Sequence, residues 1–270
     1  MHRVWAALWD LLFPPRCAAC GARDGEFCGR CRAGLRRIAP PLCAHCGDPL
    51  AAGQTRLHVG VAVSPATAAP VCAACAVAPP AFAVARSLAV YEGPLREAIH
   101  ALKYQGARRL GETLGVLLAE GVPPEVAREV AAVVPVPLHP SRLRDRGYNQ
   151  AELLARPVAR RLRVPWLPAA LQRCRQESPQ ARSSAVARRV NVEGAFAPGV
   201  QAVWGTVLLV DDVFSTGATA EACARALRAA GARQVHVMTL ARAVLRVQVR
   251  DPREARLAHW TTVAITPGGG

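Results

Sequence analysis

Lysine is nearly absent from this chain: Lys103 is the one lysine among 34 basic residues. Arginine supplies the rest of a net charge of +15, which by its size suggests a polyanion as partner. So one-sided an arginine usage, beside so many alanines, also matches a GC-rich coding bias, under which scattered arginines are a solvated surface. The same bias singles out Lys103, which is either a lysine kept where a planar guanidinium does not fit or a chance survivor. Long apolar runs are missing too, and none reaches the roughly 18 residues of a membrane-spanning helix. The apolar start, Met1 to Phe13, is broken by Asp10 and lacks the charged head and cleavage site of a signal peptide. It reads as an amphipathic helix packed on the body of a cytoplasmic protein. A length of 270 residues leaves room for one good core and a small extra module.

Cysteine is the exception to this sparseness. Eight of ten cysteines form four Cys-x-x-Cys pairs: Cys17 and Cys20, Cys28 and Cys31, Cys43 and Cys46, Cys72 and Cys75. A two-residue gap lets both thiolates of a knuckle face one tetrahedral ion, and eight ligands make two structural zinc sites with closed ligand sets. Disulfides suit a secreted chain, and a redox pair usually comes singly. Sequential grouping (17, 20, 28, 31 and 43, 46, 72, 75) is the economical arrangement, and cross-bracing is the alternative. His45 and His58 read as surface residues, and Cys174 and Cys223 as buried, inert thiols. The stretch between Cys46 and Cys72 reads as a flexible insertion, and Ala76 to Ala81 as a linker.

Beyond Phe82 strands alternate with helices. Strands are expected at Ala85–Tyr91, Val130–Val136, Val207–Val210 and Val235–Leu240. Helices are expected from Gly93-Pro94 to about Tyr104, over Arg108–Glu120, from Asn149 to about Leu162, and over Ala218–Ala230. Continuously apolar strands between helices indicate a doubly wound α/β domain with a mainly parallel sheet. In such sheets ligands bind beyond the carboxyl ends of the strands.

The sharpest motif lies at such an end: VLLVDDVFSTGAT, Val207 to Thr219. Four apolar residues lead to the adjacent carboxylates Asp211 and Asp212, then to a loop of Ser215, Thr216, Gly217, Ala218 and Thr219, then to a helix. Small residues let backbone N–H groups converge on a phosphate at a helix N-terminus, where the dipole favours an anion. Acids at the strand end suit ribose hydroxyls, or magnesium held through water. The chain has no P-loop lysine here and no Rossmann glycine fingerprint. The stretch resembles the motif with which type I phosphoribosyltransferases bind 5-phosphoribosyl-1-pyrophosphate (PRPP). That resemblance implies a pyrophosphate-gripping loop after an earlier strand, here Pro137 to Ala151, with Arg142, Arg144, Arg146 and Gly147, and with Asn149 capping the next helix. It also implies a closing hairpin, here Leu171 to Phe196, offering Gln180, Arg182, Arg188, Arg189 and Asn191.

The whole layout is similar to the ComF family of competence-protein (ComFC) and GntX-like phosphoribosyltransferase homologues. It runs from the paired cysteines through YEGPLREAIHALKYQG and VVPVPLHPSRLRDRGYNQA to the Asp211-Asp212 motif. The resemblance implies a double zinc ribbon over 1–78, a type I phosphoribosyltransferase-like domain over 79–245, and a tail over 246–270. It further implies a PRPP-binding protein, with Mg2+ accompanying PRPP, that acts in DNA uptake or nucleotide metabolism. As a transferase of the glycosyltransferase class, it would use Asp211, Asp212, Lys103, Arg142 and Arg146 around the reacting centre. The alternative is a catalytically inactive PRPP sensor or a single-stranded-DNA-binding protein, with DNA-uptake proteins as partners.

Overall fold

The computed structural model describes residues 15–50, 69–175 and 194–243. The expected N-terminal helix, most of the insertion before Cys72, the hairpin residues 180–191 and the tail lie outside the described residues.

Two short helices start at cysteine pairs: α1 (Gly29–Ala33) is capped by Cys28, whose sulfur accepts from the Cys31 N–H, and α2 (Ala73–Val77) begins after Cys72. The second part of the chain runs β1 (Val84–Val90), α3 (Gly93–Tyr104), α4 (Arg108–Glu120), α5 (Pro124–Glu129), β2 (Val130–Pro135) and α6 (Pro140–Arg146). It continues through α7 (Gln150–Leu162), β3 (Leu171–Arg173), β4 (Phe196–Pro198), β5 (Thr206–Phe214), α8 (Ala218–Ala229) and β6 (Gln234–Arg242). Strands β1, β6, β5 and β2 pair in that order, all parallel. Strands β3 and β4 form a separate antiparallel pair, the stem of the expected hairpin.

Side-chain alternation along the central strands divides the interior into two layers. Leu208, Val210, Met238 and Leu240 pack with Leu95, Ile99, Leu102, Leu114, Leu118 and Leu154 of α3, α4 and α7. Val207, Leu209, Val235 and Val237 pack with Cys223, Ala224 and Leu227 of α8 and with Leu171 and Phe196 of the small pair. Apolar strands buried on both faces are what a parallel sheet between helix layers requires. Phe27 and Leu35 of the cysteine module join the first of these clusters, so ribbon and sheet domain share one core.

Four expectations need correction. Strand β5 does not stop at Val210, because β6 offers it partners as far as Phe214 opposite Arg242. The stretch after β2 contains a helix, α6, capped by His139, whose Nδ1 accepts from the Ser141 N–H at 3.3 Å. Cys174 is exposed rather than buried, since its backbone pairs with Ala195 at the edge of the hairpin stem. His45 is a docking residue, half-buried with Nδ1 3.1 Å from the Ala83 carbonyl. Among the described residues, no helix is long and apolar enough to cross a membrane.

Candidate functional site: two tetracysteine knuckles and a cleft at the end of the central strand

The eight ribbon sulfurs gather into two sets, Cys17, Cys20, Cys28, Cys31 and Cys43, Cys46, Cys72, Cys75, each with every Sγ within 4.8 Å of the others. The grouping is therefore sequential. Cys20 and Cys28 stand 3.6 Å apart, and Cys46 and Cys72 3.7 Å. A tetrahedron with metal–sulfur bonds of about 2.3 Å has edges of roughly 3.8 Å, so both sets fit zinc, while a disulfide would need far closer sulfurs. Backbone N–H groups donate to the sulfurs, from Cys28 to Cys17 at 3.4 Å and from Cys72 to Cys43 at 3.3 Å. The Ala22 N–H, and next the Arg30 guanidinium, hold the Cys20 thiol down at about 6, while burial pushes the Cys31 thiol of the same set up. Four cysteines close each sphere, so the two centres suit structural zinc.

The two knuckles dock differently. The first packs Phe27 and Leu35 into the main core and is flanked on α4 by the pairs of Arg32 with Glu120 and Arg109 with Glu26. The second is pinned to the sheet by buried contacts. The Ala85 N–H donates to the His45 carbonyl at 2.6 Å, and Arg86 donates to the Ala44 carbonyl at 3.2 Å. Gly47, at φ +71°, lies so close that an added Cβ would stand 2.4 Å from the Ala85 oxygen.

The cleft opens at the carboxyl end of β5, lined by Val136, Asp211, Phe214, Ser215, Gly217 and Thr219. Because β5 continues through the acidic pair, its pleat sends the two carboxylates to opposite faces. Asp211 lines the cleft beside α8, next to Thr239 of β6. Asp212 is buried on the other face, with Oδ2 2.7 Å from Lys103 Nζ at the end of α3. The contact is an ion pair rather than a well-directed hydrogen bond, since Oδ2 accepts none of good geometry. Burial works to lower the Lys103 pKa, but the attraction of Asp212 outweighs it and leaves the ammonium above its usual value. Burial, and after it the charge of Asp212, push Asp211 up to about 7, with Lys103 and the Asp212 N–H pulling partly back.

Gly217 begins α8 in a left-handed conformation, φ +79°, and an added Cβ would stand 2.9 Å from the Phe214 ring. The loop is thus closed by a residue that only glycine fits. Thr216 Oγ1 accepts from the Ala218 N–H at 3.4 Å, while Ser215 is exposed at the rim. Arg142, Arg144 and Arg146 lie on α6, which Gly147 ends at φ +76°. Arg146 reaches Gln150 and sits 5.5 Å from the centre of the exposed Tyr104 ring. Asn149 caps α7 by accepting from Ala151 at 3.1 Å and also ties back to the Val136 carbonyl at 3.0 Å. Arg188 and Arg189 lie outside the described residues. Sequence reasoning missed Thr239, Tyr104 and Arg242 at this end of the sheet. A polar Thr239 inside an apolar strand was the one visible signal, and the other two stand out only once folded.

Comparison with known proteins places these features. Residues 8–76 match the double zinc ribbon domain family. The chain is 31% identical to competence protein F of Haemophilus influenzae over 82% of its own length and 92% of that protein. It is 32% identical to the DNA utilization protein YhgH of Escherichia coli over 76% of its own length and 86% of that protein. A solved structure described as the allosteric regulatory enzyme of purine biosynthesis overlays at TM-score 0.33 and 22% identity, covering 53% of this chain and 30% of that one.

Proposed function

The chain belongs to the ComF family, and on that premise we propose that the cleft at the end of β5 binds Mg-PRPP in the service of DNA uptake or utilization. The observation that carries this reading is Asp211, facing a loop of small and hydroxyl residues at the N-terminus of a twelve-residue helix. The backbone N–H groups of that N-terminus and the Thr216 and Thr219 hydroxyls suit a 5-phosphate. Asp211 accepts from ribose hydroxyls, and magnesium held through water would neutralise the pyrophosphate. Lys103 pairs with Asp212 behind the strand, so its part is to shape the field of the site. Arg142 and Arg144 on α6 supply cations for the leaving pyrophosphate. In the transferase reading the bond from the anomeric carbon to pyrophosphate breaks through an oxocarbenium-like state. A nucleophilic nitrogen of the acceptor then bonds that carbon and gives up its proton.

Replacing Asp211 by Asn is expected to weaken Mg-PRPP binding at least about tenfold, or about 1.4 kcal/mol. Calorimetry giving equal affinities for folded wild type and variant would refute the pocket. Pyrophosphate release from Mg-PRPP with a panel of bases separates turnover from sensing: binding without release in any mixture identifies a sensor.

The three arginines carried by α6, the helix that follows β2, favour a second, compatible reading, in which single-stranded DNA uses the same cations. Labelled single strands should then bind with steep salt dependence, because each neutralised phosphate releases counterions, and Mg-PRPP should compete. An affinity indifferent to salt and to PRPP would leave the arginines as surface.

A further inference from the structure

The second tetracysteine knuckle and the Ser215–Thr219 loop are joined by one buried side chain. Arg242, the last residue of β6, is 5% exposed. Its Nε donates to Asp48 Oδ1 at 3.0 Å, and its NH1 donates to the carbonyl of Cys46, a member of the second sulfur set, at 2.7 Å. Its guanidinium lies 4.6 Å from the centre of the Phe214 ring. Phe214 is itself held edge-on by Phe82, with centroids 6.1 Å apart. Gly217 closes the loop against the Cζ end of that ring. The same register is locked through the backbone, where the Ala243 N–H donates to the Phe214 carbonyl at 2.9 Å.

Each contact has a physical reason. Four thiolates on one zinc leave the knuckle doubly negative, so a buried cation beside it is favoured. A guanidinium satisfies a carboxylate, a carbonyl and a ring face at once, which an ammonium could not do from one position. The first knuckle's pairs with α4, Arg32 with Glu120 and Arg109 with Glu26, belong to the layer away from the cleft.

We infer that Arg242 is a positioning residue: it couples the second tetracysteine site to the phosphate-binding loop by fixing Phe214, the wall against which Gly217 closes. The inference rests on the proposed role of that loop. Binding and rigidity are linked in both directions, so anything that frees Arg242 from Asp48 and Cys46 loosens the loop and lowers its affinity for phosphate.

The test is backbone amide exchange on the full zinc-loaded chain, with no ligand added. The probes are the Ala243 and Glu221 amides, which donate to the Phe214 and Gly217 carbonyls at 2.9 and 2.8 Å. In Arg242→Met and in the milder Asp48→Ala, both should exchange faster by about fivefold or more, a local opening made easier. Arg32→Ala, at the exposed pair of the first knuckle, should leave them unchanged. Unchanged exchange in a folded variant overturns the inference, and Asp48→Ala decides the matter if Arg242→Met does not fold. Calorimetry with Mg-PRPP on the same proteins keeps the two readings apart. Faster exchange in a family of proteins whose wild type does not bind Mg-PRPP leaves the tether standing and removes the ligand.

Discussion

Protein stripped of metal by a strong chelator, or carrying Cys43→Ser, is expected to lose soluble yield and to melt at least about 10 °C lower, given 2–4 °C per kcal/mol for a chain of this size. Structural zinc in small domains contributes roughly 10–16 kcal/mol of apparent binding energy, comparable to the whole stability of an ordinary domain, about 5–15 kcal/mol. The second knuckle has little apolar core of its own: its cluster comprises Cys43, Leu50 and Cys75, with Cys46, Val71 and Cys72 packed against it. Cys17→Ser should cost yield in the same way, because Phe27 and Leu35 enter the main core only if the first knuckle keeps its shape. Elemental analysis checks the premise, with two zinc ions per chain expected. Metal-free protein with its cysteines in disulfides would sink it.

Lys103→Met should be the most damaging single change at this end of the sheet. It leaves the Asp212 carboxylate, 3% exposed, without its cation, and breaking a buried pair from one side costs about 3–5 kcal/mol. Adding Asp212→Asn should restore most of the loss, since a neutral amide tolerates that site far better than a stranded charge. A double variant as unstable as the single one would show that the pair is not the reason. Asp211 adds a pH dependence whose sign is fixed. Its folded pKa of about 7 lies above the ordinary 3.8, so the folded protein holds that proton more tightly than the unfolded chain. The stabilisation is full below about pH 4 and is lost as pH rises through 7. Lys103 does not mask it, because a raised ammonium loses its contribution only above its ordinary 10.5. Thermal melts at pH 5, 6, 7 and 8 should decline for wild type relative to Asp211→Asn, and parallel curves would refute the assignment.

Much of the sheet domain was legible because its elements are periodic. Helix α4 has the bounds its sequence announces, since Leu110, Leu114, Leu117 and Leu118 fall on one face and Gly121 follows the last turn. Val207 to Val210 announces a strand as plainly, yet its end was misplaced. Asp211 and Asp212 look like a terminus from composition alone, whereas the pairing of β6 carries the strand through them. That difference sends the two acids to opposite faces, and no local pattern reveals it. The cysteine spacing gave the ligands, while their grouping became definite only in the folded sulfur positions. Lys103 could be picked out by rarity, but its partner Asp212 lies 109 positions further along the chain and is joined to it only by tertiary packing. Arg242 was one arginine among many, and its burial against Asp48 could not be read from either segment.

The strand order has a consequence for the order of events during synthesis. Among the named strands β1 pairs with β6 alone, and β6 is the last to be made. At roughly 5–20 residues per second, a ribosome needs roughly 8–30 s to travel from the end of β1 to Arg242. Through that interval the cysteine knuckles can fill with metal, but the Arg242 side chain that anchors the second one does not yet exist. Strand β1 meanwhile presents an inner edge with no partner, open to pairing with a neighbouring nascent chain. Early metal capture therefore cannot complete the ribbon's seat on the sheet, and the first-made third of the protein is secured by the last strand to emerge.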